Sequence, residues 1–134
     1  MKQYNLSLDT EQLQLIQSAL DLYSRIQTGQ ITELLNSHSG PLSLPIAQSG
    51  AHDLEPLLLK VKAKIFPELG ENYSSWSINS PKHVPESARI AYDTVQVIRH
   101  KLSWDQHPEG GTGVSFSNPI ASSSKDLPTL TDKI

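Results

Sequence analysis

The chain has no cysteine among its 134 residues, which excludes disulfide bonds and zinc sites built from thiolates and fits a reducing compartment. Only 6% of the residues are aromatic and 37% are hydrophobic, so we expect a modest core that a second copy could complete. A basic surplus is also missing. The net charge of −3 argues against a general nucleic-acid-binding protein, which needs cations to neutralise phosphates.

Long hydrophobic runs are absent as well. No segment approaches the roughly 20 apolar residues of a membrane span, and the first residues, MKQYNLSLDTEQ, lack the apolar run of a signal peptide. We therefore expect a cytoplasmic protein that has no membrane partner.

Three segments have the period of amphipathic helices. The first helix is expected from about Thr10 to Thr28, with Asp9 or Thr10 as its N-cap and Gly29 just after its end. The second is expected from about Asp53 to Phe66. A third, central helix covers residues 85–106. Four residues are predicted to form the buried face of the second helix: Leu57, Leu58, Val61 and Ile65.

Two short segments alternate apolar and polar residues, which is typical of strands. They are residues 4–8 and 112–117, and we expect them to pair because neither is stable alone. Residues 37–50 are rich in serine, glycine and proline and are assigned to a surface loop. The predicted fold is mainly α, with three main helices and a small two-stranded antiparallel sheet. Residues 1–117 form the predicted domain, and residues 118–134 form an extended Ser/Pro-rich tail.

The central helix carries apolar residues on two sides. One apolar face consists of Ala88, Ala91, Val95, Ile98 and Leu102. The second consists of Ile90, Val97 and Trp104. Because a surface helix needs only one apolar face, this helix is expected to be covered on both sides, the second by a neighbouring copy or a partner.

Between the two apolar faces lies a polar flank that could bind an anionic, nucleotide-like molecule. Arginine supplies bidentate contacts to phosphate, and the neighbouring imidazole, phenol and amide add hydrogen bonds. The candidate ligand-binding residues are Arg99, His100, Arg89, Tyr92 and Gln96, with Arg25 and Tyr23 of the first helix. The alternative interpretation is an ordinary solvated face, in which Arg89 and Asp93 form an exposed ion pair.

Signs of catalysis are weak. The five histidines have no metal-ligand spacing on a helix, and no nucleophile can be identified. The run Gly110-Gly111-Thr112-Gly113 follows a helix instead of leading into one, so it is interpreted as a turn and not as a phosphate-binding loop. We expect neither an enzyme nor a bound metal or cofactor.

Two groups of segments resemble small proteins encoded by tailed phages and prophages. The first group is residues 19–25 (ALDLYSR) with Gly29-Gln30. The second is residues 91–93 (AYD), 96–102 (QVIRHKL) and Trp104-Asp105. The resemblance implies a small accessory protein of the host cytoplasm, of the sort that counters a host defence or modifies a host factor.

Two functions follow as hypotheses. The first is a non-catalytic homo-oligomer that sequesters an anionic nucleotide-like molecule, such as a host immune signal, on the polar flank. The alternative is an inhibitor that docks on a host protein through the second apolar face of the central helix, formed by Ile90, Val97 and Trp104.

Overall fold

The computed structural model describes residues 1–36 and 40–134, and this part of the chain is mainly helical, without a β-strand. It contains four α-helices and one short 3-10 helix. The elements in chain order are α1 (Thr10–Gln27), the 3-10 helix (Ile31–Leu35), α2 (Ser43–Ser49), α3 (Leu54–Ile65) and α4 (Glu86–Gln106). No helix within the described ranges is long and apolar enough to cross a lipid bilayer.

α1 begins at a capping box, which confirms the prediction for Asp9. The Asp9 carboxylate accepts a hydrogen bond from the Gln12 amide (2.8 Å), and the Gln12 side chain accepts one from the Asp9 amide (3.0 Å). These bonds satisfy two amides that have no partner within the helix. The helix ends before Gly29, as predicted, and its φ of +99° is a left-handed conformation that suits glycine.

α4 packs against α1, and the two helices run in opposite directions. Near the end of α1, the Tyr23 hydroxyl donates to Ser87 Oγ at the start of α4 (3.0 Å). At the other end, Leu13 and Leu102 line the same pocket. The predicted first apolar face of α4 is confirmed, because all of its members are buried or half-buried. They are Ala88, Ala91, Val95, Ile98 and Leu102.

The predicted orientation of α3 is wrong, because most of its apolar face points to solvent. Three members of that face are exposed to 57%, 45% and 58%: Leu57, Val61 and Ile65. Leu58 is half-buried, whereas Lys62 is only 2% exposed. The Lys62 ammonium donates hydrogen bonds to the carbonyls of Asn72 and Ser74 in the loop after α3. Because a buried ammonium needs acceptors, these bonds turn the Lys62 side inward and the apolar face outward.

The predicted two-stranded sheet is also wrong. Residues 4–8 form no strand and are largely exposed. Residues 112–117 form bends and a turn, in which the Phe116 amide donates to Gly113 O (3.2 Å). Side chains of α4 bind two carbonyls of this second segment, so those carbonyls are not available to a partner strand.

The count of three helices is too low, because α2 lies in the segment 37–50 that was assigned to a loop. Residues 37–39 of that segment lie outside the described ranges. Pro45 is the third residue of α2, and in the first turn its missing amide proton would have no acceptor within the helix. Gly50 ends the helix in a left-handed conformation (φ +68°).

Candidate functional site

The C-terminal segment, residues 113–132, covers part of the polar flank of α4. His100 Nδ1 lies 3.1 Å from Ser115 O, and Trp104 Nε1 donates to Phe116 O (3.2 Å). The rings of Trp104 and Phe116 meet edge to face, with their centroids 5.5 Å apart. At Trp104, the C-terminal segment therefore contacts the second apolar face of α4, although Trp104 and Ile90 on this face remain 39% and 37% exposed.

Asp93 is the main attachment point of the C-terminal segment. It is 2% exposed, and its carboxylate accepts hydrogen bonds from the Ser122 amide (2.7 Å), the Ser123 amide (3.0 Å) and the Ser123 hydroxyl (2.7 Å). Two turns nearer the start of α4, Glu86 accepts a hydrogen bond from the Ser124 amide (2.7 Å). Three donors offset the cost of burying the Asp93 carboxylate. Asp93 is thus an acceptor for the C-terminal segment and not a solvated partner of Arg89.

Residues 116–124 of the C-terminal segment run antiparallel to α4, and the chain then turns back, because Asp132 is bound by Lys101 near the end of the helix. Their contacts proceed along the helix from Trp104 back to Glu86, a distance of about 27 Å at the helical rise of about 1.5 Å per residue. On the segment, the same contacts run from Phe116 to Ser124, which spans roughly 26 Å at about 3.3 Å per extended residue. The agreement of the two lengths means that residues 116–124 cross the flank by a nearly direct path.

Both ends of the C-terminal segment are fixed to α4. At its start, Gly111 lies so close to Phe116 that an added Cβ would be 2.7 Å from the ring, so the preceding glycine-rich run serves as a tight turn. At its end, Lys101 Nζ bridges Asp105 (2.7 Å) and Asp132 (2.9 Å). Its hydrogen bonds to these two carboxylates raise the pKa of Lys101.

Two of the predicted ligand-binding residues, Arg25 and Tyr92, line one pocket together with Trp76. Its volume of about 150 Å³ is below the roughly 300–1,000 Å³ of most ligand sites. The Arg25 guanidinium is already bound by Asp21 (Nε–Oδ2 2.8 Å) and Gln30 (Nη1–Oε1 3.0 Å), and the bond to Asp21 raises the pKa of Arg25. Because Asp21 and Gln30 already accept hydrogen bonds from the guanidinium, Arg25 has few donors available for an anionic ligand.

The other predicted ligand-binding residues have different surroundings. Tyr23 is hydrogen-bonded at the start of α4, and Gln96 is half-buried. Arg89 Nη2 lies 2.8 Å from Glu86 Oε2. The Nε atoms of Arg89 and Arg99 are buried and have no hydrogen-bond partner in the described part of the chain. The structure therefore brings Arg25 and Tyr92 together and distributes the other five along α4 and the end of α1.

Lys62 lines a second pocket, of about 230 Å³, with Gln30, Glu33 and Tyr73. Burial lowers the pKa of Lys62. Since its two acceptors are backbone carbonyls of the following loop, Lys62 holds that loop against α3. Among the residues that the structure describes, no group of three or more side chains is arranged to hold a metal ion.

The feature that sequence reasoning missed is the exposed face of α3. We call Leu57, Val61 and Ile65 the α3 apolar face; they are spaced four residues apart and form one ridge about 12 Å long. Lys60 and Lys64 border this ridge and are exposed. Helical periodicity indicated that the apolar residues share a side, but it carries no information about which side faces the protein.

Comparison with protein-family models, with curated protein sequences and with solved structures found no match to this chain.

Proposed function

We propose that this chain is a non-catalytic binding protein that docks on a partner protein through the α3 apolar face. The observation that carries the proposal is the reversed orientation of α3. Three aliphatic side chains are about half exposed on one ridge, while Lys62 of the same helix is buried. Isolated exposed leucines are ordinary on protein surfaces, but a continuous apolar ridge is typical of an interaction site.

The expected gain from covering the α3 apolar face is moderate. Full burial of an aliphatic side chain contributes about 1.5–3 kcal/mol, so covering the exposed half of each would contribute roughly 1 kcal/mol. Together the three would supply about 3 kcal/mol. This contribution can orient a partner, and a stable complex would add contacts around the ridge.

The test compares two sets of substitutions at exposed leucine and isoleucine positions. A partner is captured from host cells on the immobilised chain, identified and purified, and its Kd is measured by calorimetry. The double variant Leu57→Ser/Ile65→Ser should weaken binding at least tenfold, which corresponds to about 1.4 kcal/mol. The matched control is Leu15→Ser, because Leu15 is 71% exposed on α1, outside the ridge. Equal binding by the double variant would rule out docking through α3.

Capture of an anionic small molecule on the polar flank is the second candidate function. It is favoured by the buried Nε atoms of Arg89 and Arg99, which have no partner in the described residues and could bind a phosphate or carboxylate. Calorimetry against cyclic nucleotides and ADP-ribose derivatives tests it. Binding should be lost in Arg99→Ala, and binding that this substitution leaves unchanged would eliminate the flank as the site.

The resemblance to phage accessory proteins implies where in the cell both proposed functions would operate. In that setting the chain would act in the host cytoplasm, without catalysis, by occupying a host factor or a host signal. Assembly into a homo-oligomer belongs to the same proposal, and light scattering of the purified protein tests it directly.

A further inference from the structure

We propose that the segment that docks on the α3 apolar face is an amphipathic helix with acidic residues along one edge. This inference rests on the proposed function and names the chemistry of the partner. Its basis is the charge beside the ridge. Lys60 follows Leu57 by three residues, and Lys64 follows Val61 by three, so each lysine lies next to an exposed apolar residue on the helix surface.

The two edges of the ridge differ in charge. Lys60 and Lys64 form one edge, and neither has a hydrogen bond or ion pair in the described part of the chain. Towards the other edge, Glu55 accepts a hydrogen bond from the Tyr73 hydroxyl. A helix lying along the ridge would therefore meet unpaired cations on one side only. Asp or Glu on that side of the partner would pair with them, and this also fixes the direction in which the partner lies.

A second copy of this chain fits the ridge less well. In an antiparallel pair related by a twofold axis, the same edge of each helix meets, so Lys60 and Lys64 would face their own counterparts. In a parallel pair, Lys64 and Glu55 would be separated by about 13 Å along the axis, at about 1.5 Å per residue. Neither arrangement neutralises both lysines, and like charges side by side oppose association.

An anionic membrane surface also fits less well than an acidic helix. Helices that lie in the membrane interface usually combine a basic face with Trp, Phe and Leu on the other face. The α3 apolar face has no aromatic residue, and exposed Glu55 and Glu68 lie near the two ends of α3. The whole chain also has a net charge of −3, which opposes approach to anionic lipid.

The experiment uses a displayed library of helical peptides of about 18 residues, long enough to form several turns. All members share one stripe of leucines at helical spacing, and the positions along both edges are varied among Glu, Lys, Gln and Ser. The library is selected on the full-length wild-type chain, on Lys60→Glu/Lys64→Glu and on Leu57→Ser/Ile65→Ser. Both pairs of substitutions are at exposed positions, and circular dichroism verifies that each variant keeps its helices.

We expect the wild-type chain to enrich peptides with Glu along one edge, and the Lys60→Glu/Lys64→Glu variant to enrich Lys there. A Glu-edged peptide should bind the charge-reversed variant about three- to tenfold more weakly than the wild-type chain. Enrichment without a preference for Glu would overturn the acidic partner and leave docking through α3 intact. Equal enrichment on the Leu57→Ser/Ile65→Ser variant would overturn docking as well.

Two further measurements test whether the ridge binds a second copy of this chain or an anionic membrane instead. A dimer in light scattering that Val61→Glu converts to a monomer would assign the ridge to a second copy and overturn the proposal. Flotation with phosphatidylserine vesicles that the same substitution abolishes would assign it to a membrane, with the same consequence. An oligomeric state that Val61→Glu leaves unchanged, together with no flotation, supports the acidic helix.

Discussion

α3 and α4 each bury one charged side chain, yet they present opposite faces to solvent. In α3, Lys62 is 2% exposed and donates to backbone carbonyls of the following loop. In α4, Asp93 is 2% exposed and accepts hydrogen bonds from the serines of the C-terminal segment. The difference lies in the other side of each helix, because α1 covers the first apolar face of α4, whereas nothing in the described structure covers the α3 apolar face.

This comparison shows that an irregular segment can decide which side of a helix is buried. Backbone amides and carbonyls in such a segment need partners, and a charged side chain on the helix can supply them. For α4 the C-terminal segment contacts a second side of the helix, although Ile90 and Trp104 remain 37% and 39% exposed. For α3, the loop at Asn72 and Ser74 packs against the Lys62 side of the helix, so the apolar residues lie on the opposite, exposed side.

The largest expected effect is the difference in stability between alanine substitutions at two isoleucines, one on α4 and one on α3. Ile98 on α4 is 4% exposed and Ile65 on α3 is 58% exposed. Ile98→Ala should lower the free energy of unfolding by about 3 kcal/mol, because it removes buried methyl groups and leaves a cavity. Ile65→Ala should cost less than about 1 kcal/mol. Urea unfolding followed by circular dichroism measures both, and similar costs would mean that the α3 apolar face is covered in solution.

A second pair compares two lysines of α3. Lys62→Met should lower the free energy of unfolding by about 2 kcal/mol, because two loop carbonyls lose their donor. Lys60→Met, at an exposed position, should change it by less than about 0.5 kcal/mol. The same urea titration measures both variants. If Lys62→Met were as stable as the wild-type chain, the inward orientation of that side would need another cause.

Much of the helical framework could be predicted from the sequence. The capping box at Asp9, the glycine after α1 and the buried alanine-rich face of α4 are local patterns, so sequence periodicity and capping chemistry identify them. The strand prediction for residues 112–117 failed because alternation describes only the segment itself. Whether its carbonyls meet another strand or the side chains of His100 and Trp104 depends on contacts distant in the sequence.

The candidate site was harder to predict for a related reason. Five of the seven polar residues were grouped because they share a flank of α4, but the flank is also where Ser122 and Ser123 bind. A Ser-rich tail gives no signal that its amides will bind a particular carboxylate. Similarly, the lysines of α3 are alike in sequence, and the identity of the buried one depends on the loop at Asn72 and Ser74.

The smallest expected effect concerns the hydrogen bonds that Ser124 of the C-terminal segment donates to Glu86 in the first turn of α4. Hydrogen bonds from Ser124 lower the pKa of Glu86 below its ordinary value of 4.5, with a further contribution from Arg89. A lowered pKa means that the attachment is fully present above pH 4.5 and is lost as the pH falls through the lower, folded-state value. The amide chemical shift of Ser124, followed by NMR from neutral to acidic pH, should therefore titrate below pH 4.5.

Glu86→Gln should remove this titration, because an amide side chain has no proton to gain in that range. The Trp76 amide, which donates to the backbone carbonyl of Thr28 (2.9 Å), provides an internal reference in the same spectra, because a carbonyl acceptor has no proton to gain. If the Ser124 shift still titrated in Glu86→Gln, a different carboxylate would be its acceptor, and the C-terminal segment would not follow α4 as far as its first turn. If the titration disappeared in Glu86→Gln, Glu86 would be the acceptor of Ser124, and the C-terminal segment would reach the first turn of α4. No segment covers the α3 apolar face in this way in the described part of the chain.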